Sequence, residues 1–425
     1  MSEPARRSGE VVAFYGDDFT GSVDALLQFA RRGWTGRLFT AIPDAAALRR
    51  AASEVDVVGV AGISRSLDPD AMDAELRPVL EAFQRLSPRI VQYKACSTAD
   101  SAPTVGSLGR VIELGREVFG DRPVPMLFAQ PDFGRYTVFG QHFAAERGVV
   151  YRLDRQPTMS THPSTPMTEA DLAVHVGRQT SLPLGSVPLV AYDDLTVRLR
   201  DAPEAALVLD ALTDEHLVTV GTALKALPSP IFAIGSGGLS HGIAAASPGE
   251  AAALPTSTPA SGPVLVLSGS RSAQTRRQAD AAAAAGWLVL PLPLGAADLG
   301  STIDEVVAAL RSGRGVVLTS DDADTTSAAA GRVLEAIAEA AASVVSIAVR
   351  EGVTRRVIVC GGDTSSRVTR LLGVASLSIA ANPWGNVVLL RAQASDPAVD
   401  GLELVLKGGQ VGADMLFTDV SALGA

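Results

Sequence analysis

Residues 11–32 read VVAFYGDDFTGSVDALLQFARR. An unbroken apolar run, 11–15, ends in the polar turn Gly16-Asp17-Asp18-Phe19-Thr20-Gly21, and a stretch of helical length follows with Asp24 near its start. Apolar runs without alternation belong to strands buried on both faces, as in a parallel sheet covered by helices. The pattern recurs along the chain. Further candidate strands are 56–61, 89–94, 126–129, 189–192, 206–209 and 231–234, then 264–267, 287–290, 315–319, 356–360 and 402–406. Segments of helical spacing, such as 274–285, separate them. The expected fold class is α/β, with mainly parallel sheets flanked by helices.

One stretch breaks the alternation. Residues 247–262, SPGEAAALPTSTPASG, are rich in Pro, Ser, Thr and Ala and carry no periodicity. They read as a linker between a domain of residues 1–246 and a domain of residues 263–425. Two α/β domains joined in this way are expected to place an active site in the cleft between them.

Composition narrows the function. Of the 425 residues, 47% are apolar and 19% charged, a globular balance. Lys and Arg number 36 against 46 Asp and Glu, a net charge of -10. That excludes a general nucleic-acid or anionic-membrane binder, which needs a basic surface, but not a local basic pocket for a small anion. Two cysteines, Cys96 and Cys360, make neither a disulfide framework nor a Cys-rich zinc site. The opening MSEPARRSGE carries mixed charge, and the apolar run after it is too short for a signal-peptide core. The expectation is a cytoplasmic protein with a small-molecule substrate, no nucleic-acid partner and no membrane partner. A homodimer stays open as an assembly.

Candidate site residues lie at strand ends, where open α/β sheets bind ligands. Asp17 and Asp18 could ligate Mg2+ or take a proton, and the plainer alternative is that one of them and Thr20 cap a helix. Lys94, followed by Ser97 and Thr98, suits an anionic or polyhydroxylated ligand. Arg135 could grip a carboxylate, although a loop arginine is more often solvated. In the second half, Ser268-Gly269-Ser270-Arg271-Ser272, Gly361-Gly362-Asp363-Thr364-Ser365 and Lys407-Gly408-Gly409 are small-residue turns after strands. Such turns present backbone N–H groups to phosphate, and three in one domain point to a nucleotide. No Walker-type G-x-x-x-x-G-K-[ST] is present. Gly235-Ser236-Gly237-Gly238 lacks the register of a dinucleotide fingerprint. The histidines His142, His162, His175, His216 and His241 show no metal-type spacing.

In this combination and order the runs resemble the four-carbon acid sugar kinase family. The matching pieces are Asp17-Asp18-Phe19-Thr20-Gly21-Ser22-Val23-Asp24, Tyr93-Lys94 with Ser97-Thr98, Gly134-Arg135, and the three turns of the second half. The resemblance implies an N-terminal domain that binds the acid sugar and a C-terminal domain that binds ATP. It implies phosphorylation of a terminal hydroxyl of a tetronate or 3-oxo-tetronate. Asp18, or Asp17, would orient that hydroxyl and accept its proton. Thr20, Lys94, Ser97, Thr98 and Arg135 would hold the substrate. Ser268, Ser270, Ser272, Gly361, Gly362, Asp363, Thr364 and Gly409 would cradle the nucleotide, with Mg2+ on the phosphates beside Asp363. One departure stands out. Many family members carry a Ser-Thr-Leu-Arg-Gly-Asn-like run after the lysine, and here it is Cys96-Ser97-Thr98-Ala99-Asp100-Ser101, without the arginine. That variant resembles a subgroup acting on 3-oxo-isoapionate, a branched acid sugar. Two other readings of the residues are an NAD(P)-dependent oxidoreductase of sugar acids and a non-catalytic sugar-acid-binding protein.

Overall fold

The computed structural model describes residues 11–247, 254–256, 258, 262–320 and 330–423. Much of the expected linker, 248–253, 257 and 259–261, lies outside the described residues. The chain divides into one unit of Met1–Leu38 and Ile42–Ala253 and another of Phe39–Ala41 and Leu254–Ala425.

In the first unit the apolar runs form β1 (Val12–Gly16), β2 (Gly36–Phe39), β3 (Val57–Ala61), β4 (Ile90–Lys94) and β5 (Val124–Leu127). Then come β6 (Arg135–Val138), β7 (Gln141–Glu146), β8 (Val149–Arg152), β9 (Leu184–Val187), β10 (Ala206–Leu209) and β11 (Ile231–Gly235). The order β3-β1-β4-β11-β5-β10-β9 is parallel throughout, with β2 beyond β3. Every residue of β1, β3, β4 and β11 is buried, which accounts for their mainly apolar sequences, with Gln92 and Lys94 of β4 the polar exceptions. The chain leaves β1 toward β2 and β3 on one side and reaches β4 on the other. The gap between the carboxyl ends of β1 and β4 is therefore the switch point at which such sheets bind ligands. Strands β6, β7 and β8 make a separate antiparallel sheet.

Two expectations are corrected here. Residues 189–192 are not a strand but part of the 3-10 helix Leu189–Asp194, which buries none of its residues. Val190 is 78% exposed, so the apolar letters mark surface rather than core. The edge strand of that region is β9, just before it. The small antiparallel sheet was not foreseen, because its strands are half exposed and lack long apolar runs.

The second unit contains β12 (Val264–Ser268), β13 (Leu288–Pro291), β14 (Val316–Thr319), β15 (Arg356–Cys360), β16 (Val374–Trp384), β17 (Val387–Ala394) and β18 (Glu403–Lys407). Its order is β13-β14-β12-β15-β18-β17-β16. The first five of that order are parallel, and β17 and β16 close the sheet as an antiparallel pair. The mainly parallel expectation holds, with the β16–β17 hairpin as an addition. Here the switch point lies between β12 and β15. Among the described residues, no helix is long and apolar enough to cross a membrane.

Candidate active site

Register fixes the first cluster. Gly16 of β1 pairs with Lys94 of β4, and Lys94 pairs in turn with Gly235 of β11. The next residue, Asp17, donates its N–H to the Lys94 carbonyl at 3.0 Å. The two aspartates and the lysine thus leave neighbouring strands at one level.

Asp17 is buried, and Asp18 caps the helix Phe19–Ala30 by accepting from the Gly21 N–H at 3.0 Å. The helix-capping alternative therefore describes one oxygen of Asp18 correctly. Both aspartates also meet Arg65, from the 3-10 turn Ser64–Ser66 after β3. Arg65 donates through Nε to Asp17 Oδ2 at 3.1 Å, and through Nη2 to Asp17 Oδ1 at 2.6 Å and Asp18 Oδ1 at 2.8 Å. Burial raises the Asp17 carboxyl above its ordinary range, Arg65 opposes that, and the neighbouring Asp18 charge adds to the rise.

Lys94 is 3% exposed. Its Nζ donates to the Ala95 carbonyl at 3.1 Å and lies 3.8 Å from Asp24 Oδ2. Asp24 accepts from Gln28 Nε2 at 3.1 Å and from Gln130 Nε2 at 3.3 Å. Glycine at position 21 leaves room for the two charged groups. A Cβ there would sit 2.4 Å from Asp18 Oδ1 and 2.9 Å from Lys94 Nζ.

The loop after β4 carries the hydroxyls. Thr98 is buried with its Oγ1 2.9 Å from Cys96 Sγ, Ser97 is half-buried, and Thr20 is exposed in the first turn of its helix. Burial pushes the Cys96 thiol up, against the pull of Arg65. His142, on β7, is fully buried and donates from Nε2 to the Ser97 carbonyl at 2.8 Å, while its Nδ1 accepts from Thr137 Oγ1 at 2.9 Å. Arg135 donates from Nη1 to the carbonyls of Phe133 at 2.7 Å and Ala145 at 3.1 Å. Its Nε is buried without a partner, and among the described residues no carboxylate forms an ion pair with it. Burial lowers its pKa.

The expected residues Asp17, Asp18 and Lys94 are thus brought together directly. Ser97 and Thr98 lie in the adjoining loop, and His142 ties Ser97 to the small antiparallel sheet whose first strand begins at Arg135. Arg65 and Gln130 escaped the sequence reading, while Asp24 entered it only as part of the matching run and His142 only as a residue without metal-type spacing. Arg65 and Gln130 do follow strands, the signal that found the others, but neither stands in a recognisable motif.

Two glycine-bearing runs have structural roles. Gly238-Leu239-Ser240-His241-Gly242 spells G-x-S-x-G, yet Ser240 lies inside the helix Gly237–Ala245, buried, donating to Gln92 Oε1. It is no nucleophile elbow, which needs a strand-to-helix turn. The glycines of the Gly235–Gly238 run serve close packing instead. A Cβ on Gly238 would lie 1.9 Å from the Ala129 carbonyl, and one on Gly237 would lie 2.3 Å from Asp24 Oδ2.

The second unit repeats the logic with small residues. Ser268, Cys360 and Lys407 end β12, β15 and β18 in one register row. The next N–H groups continue it, Gly269 to the Cys360 carbonyl at 3.0 Å and Gly361 to the Lys407 carbonyl at 2.9 Å. Ser272 caps the helix Ala273–Ala284 through Thr275 N and donates to the Gly409 carbonyl, as Thr275 Oγ1 does at 2.8 Å. Gly361, at φ +110, precedes the helix Gly362–Leu371, whose cap has no side-chain bond and whose first turn carries exposed Asp363. A Cβ on Gly269 would lie 2.2 Å from Thr364 Oγ1, and one on Gly409 would lie 2.2 Å from Ser270 Oγ. The eight expected residues therefore lie in turns that follow β12, β15 and β18, with glycine where a Cβ would meet Thr364 or Ser270. Lys407 is buried with Nζ donating to Thr275 Oγ1 at 3.0 Å, and burial lowers its pKa.

These turns make a candidate cradle for nucleotide phosphates, because small residues at helix starts leave backbone N–H groups open to an anion. Among the described residues, no group of three or more His, Cys, Asp or Glu side chains is placed to hold a metal. The carboxylate at these turns is the exposed Asp363, and Mg2+ commonly keeps several waters and binds through one or two carboxylates plus substrate phosphates.

Comparison with known proteins agrees with this division. Residues 12–243 match the family described as a sugar-binding N-terminal domain, and residues 265–417 match the nucleotide-binding C-terminal domain. The chain is 39% identical to a 3-oxo-isoapionate kinase of Paraburkholderia graminis, covering 96% of this chain and 94% of that protein. It is 30% identical to a 3-oxo-tetronate kinase of Pseudomonas fluorescens, covering 95% and 94%. The fold is that of a Salmonella typhimurium LT2 protein described as a putative tRNA synthase, with a TM-score of 0.79 at 22% identity over 97% of this chain and 98% of that one. Both halves matched and full-length relatives named as kinases show that the chain belongs to the four-carbon acid sugar kinase family.

Proposed function

We propose that this kinase transfers the terminal phosphoryl group of ATP to a hydroxyl of a short 3-oxo acid sugar, with the branched 3-oxo-isoapionate as the preferred acceptor. The relative at 39% identity is named for that acid, and it spans nearly the whole chain.

The observation that carries the residue assignment is an uncommitted oxygen. Both oxygens of Asp17 are held by Arg65, and Asp18 Oδ1 is held by Gly21 and Arg65. Asp18 Oδ2 alone has no hydrogen bond among the described residues. Asp18 is the group assigned to orient the acceptor hydroxyl. As its oxygen bonds to the γ-phosphorus and the bond to ADP breaks, the hydroxyl proton passes to Asp18.

Elimination supports the binding roles. Arg65 is committed to the aspartates and Lys94 has Asp24 nearby, whereas among the described residues Arg135 forms no ion pair and has an orphaned Nε. Arg135 is therefore assigned the substrate carboxylate. Lys94, Ser97, Thr98 and Thr20 are assigned to the oxo group and hydroxyls. The turns with Ser268, Ser270, Ser272, Gly361, Gly362, Thr364 and Gly409 are assigned to the ATP phosphates. Asp363 would be the carboxylate ligand of Mg2+, which would supply charge neutralisation on the transferring phosphoryl group.

The oxidoreductase reading is not favoured, since the glycines it would use are filled by packing. Nor is a non-catalytic binder, given relatives named as kinases over the full length. The test is coupled ADP release across 3-oxo-isoapionate, the 3-oxo-tetronates, threonate and erythronate. The highest kcat/KM is expected on 3-oxo-isoapionate. Turnover of a 3-oxo-tetronate with none of the branched acid would overturn the substrate assignment.

A further inference from the structure

Arg65 occupies a position that neither substrate binding nor folding alone explains. Its guanidinium stands between two adjacent carboxylates, with Nη2 alone reaching Asp17 Oδ1 at 2.6 Å and Asp18 Oδ1 at 2.8 Å. The contact is anchored twice more. Nε donates to Asp17 Oδ2 at 3.1 Å, and the Arg65 backbone N–H donates to the Asp17 carbonyl at 3.1 Å. Adjacent carboxylates repel, and unrestrained side chains would turn apart. A planar fork holds both at fixed angles, which the compact charge of a lysine does not.

We infer that Arg65 is a positioning residue that locks the Asp18 carboxylate with Oδ2 turned to the acceptor hydroxyl, using buried Asp17 as its own anchor. This rests on the reading of Asp18 as proton acceptor. In that division Asp17 touches no substrate. It holds Arg65, and Arg65 holds Asp18.

The experiment is steady-state kinetics of the full chain with Asp18→Asn, Arg65→Lys, Arg65→Ala and the double replacement Asp17→Asn/Arg65→Ala. Asp18→Asn is expected to lower kcat by about 100-fold or more. Arg65→Lys is expected to lower kcat by roughly 10- to 100-fold, with KM for both substrates nearly unchanged, because misaligned groups lose rate before affinity. Arg65→Ala leaves the Asp17 carboxylate buried without its partner and is expected to melt early. The double replacement removes that charge and should recover stability without recovering kcat, while added guanidinium should restore part of the kcat of Arg65→Ala. Parental kcat in Arg65→Lys or in the double replacement, beside an inactive Asp18→Asn, would overturn the inference and leave the Asp18 reading standing. A raised KM for the acid sugar with kcat intact would also overturn it, making Arg65 a binding group. Parental kcat in Asp18→Asn would sink the Asp18 reading itself.

Discussion

His142 Nε2 donates to the Ser97 carbonyl at 2.8 Å, joining the small antiparallel sheet to the loop that follows Lys94. A carbonyl only accepts, so Nε2 carries the proton, and Nδ1 accepts a hydrogen bond from the Thr137 hydroxyl. Burial lowers this imidazole to about 4, from an ordinary 6.5. The folded protein thus resists a proton that the unfolded chain accepts. The associated stability is complete above the unfolded value and is lost as pH falls from 6.5 toward 4. Its size is on the order of 3 kcal/mol. His142→Gln should flatten that decline in denaturant midpoints measured across the window. An unchanged slope would mean that another group sets it.

Arg135 gives a prediction specific to one substrate. Its charge forms no ion pair among the described residues, and its replacement also removes the bonds to the Phe133 and Ala145 carbonyls, so the kinetics are read where the variant is folded. Arg135→Met should raise KM for the acid sugar by about 10- to 100-fold, the worth of a charge-assisted hydrogen bond. KM for ATP should stay near parental. A matching rise in both constants would place Arg135 in a structural role.

The nucleotide cradle is tested by adding one atom. A Cβ on Gly409 would lie 2.2 Å from Ser270 Oγ and 3.1 Å from Ser272 Oγ. Gly409→Ala must push these hydroxyls aside, a cost like that of overpacking, so KM for ATP should rise on the order of 10-fold. Calorimetry of ATP binding checks it, and unchanged affinity would move the phosphates elsewhere.

The parts of this site written in local sequence were legible. Mainly apolar runs followed by polar turns located β1, β4, β12, β15 and β18, because strands buried on both faces are mostly apolar and their few polar residues fall largely at the ends. Asp17, Asp18 and Lys94 could be named because they end those runs. Arg65 could not, because its meaning lies in a contact 48 positions back in the chain, and a lone arginine in a turn carries no local mark. The β16–β17 hairpin was missed for a different reason. Its strands meet across Gly385-Asn386, a two-residue turn of the kind that marks hairpins, but its first strand mixes exposed and buried residues irregularly around bulges. Residues 189–192 failed in the opposite sense, since four letters of strand-like composition lay on a surface helix.

The amino ends of β15 and β18 carry a last prediction, at the far end of the strands whose carboxyl ends form the cradle. Arg356 and Glu403 are register partners and both nearly inaccessible, with Arg356 Nε donating to Glu403 Oε2 at 2.9 Å. Arg356 Nη1 also donates to the Val420 and Leu423 carbonyls at 2.9 and 2.6 Å, and Glu403 accepts from Thr258 Oγ1 at 3.0 Å. The pair therefore ties the start and the end of the second unit to its sheet. Breaking it from one side strands a buried guanidinium, so Glu403→Ala should cost about 3–5 kcal/mol of stability. Replacing both, as Arg356→Met with Glu403→Leu, should recover much of that loss, because the desolvation of two charges is removed together. KM for ATP at a temperature where both variants are folded should stay near parental, since neither residue reaches the cradle. A large change there, with stability intact, would show that the buried pair acts on the nucleotide site rather than on the fold.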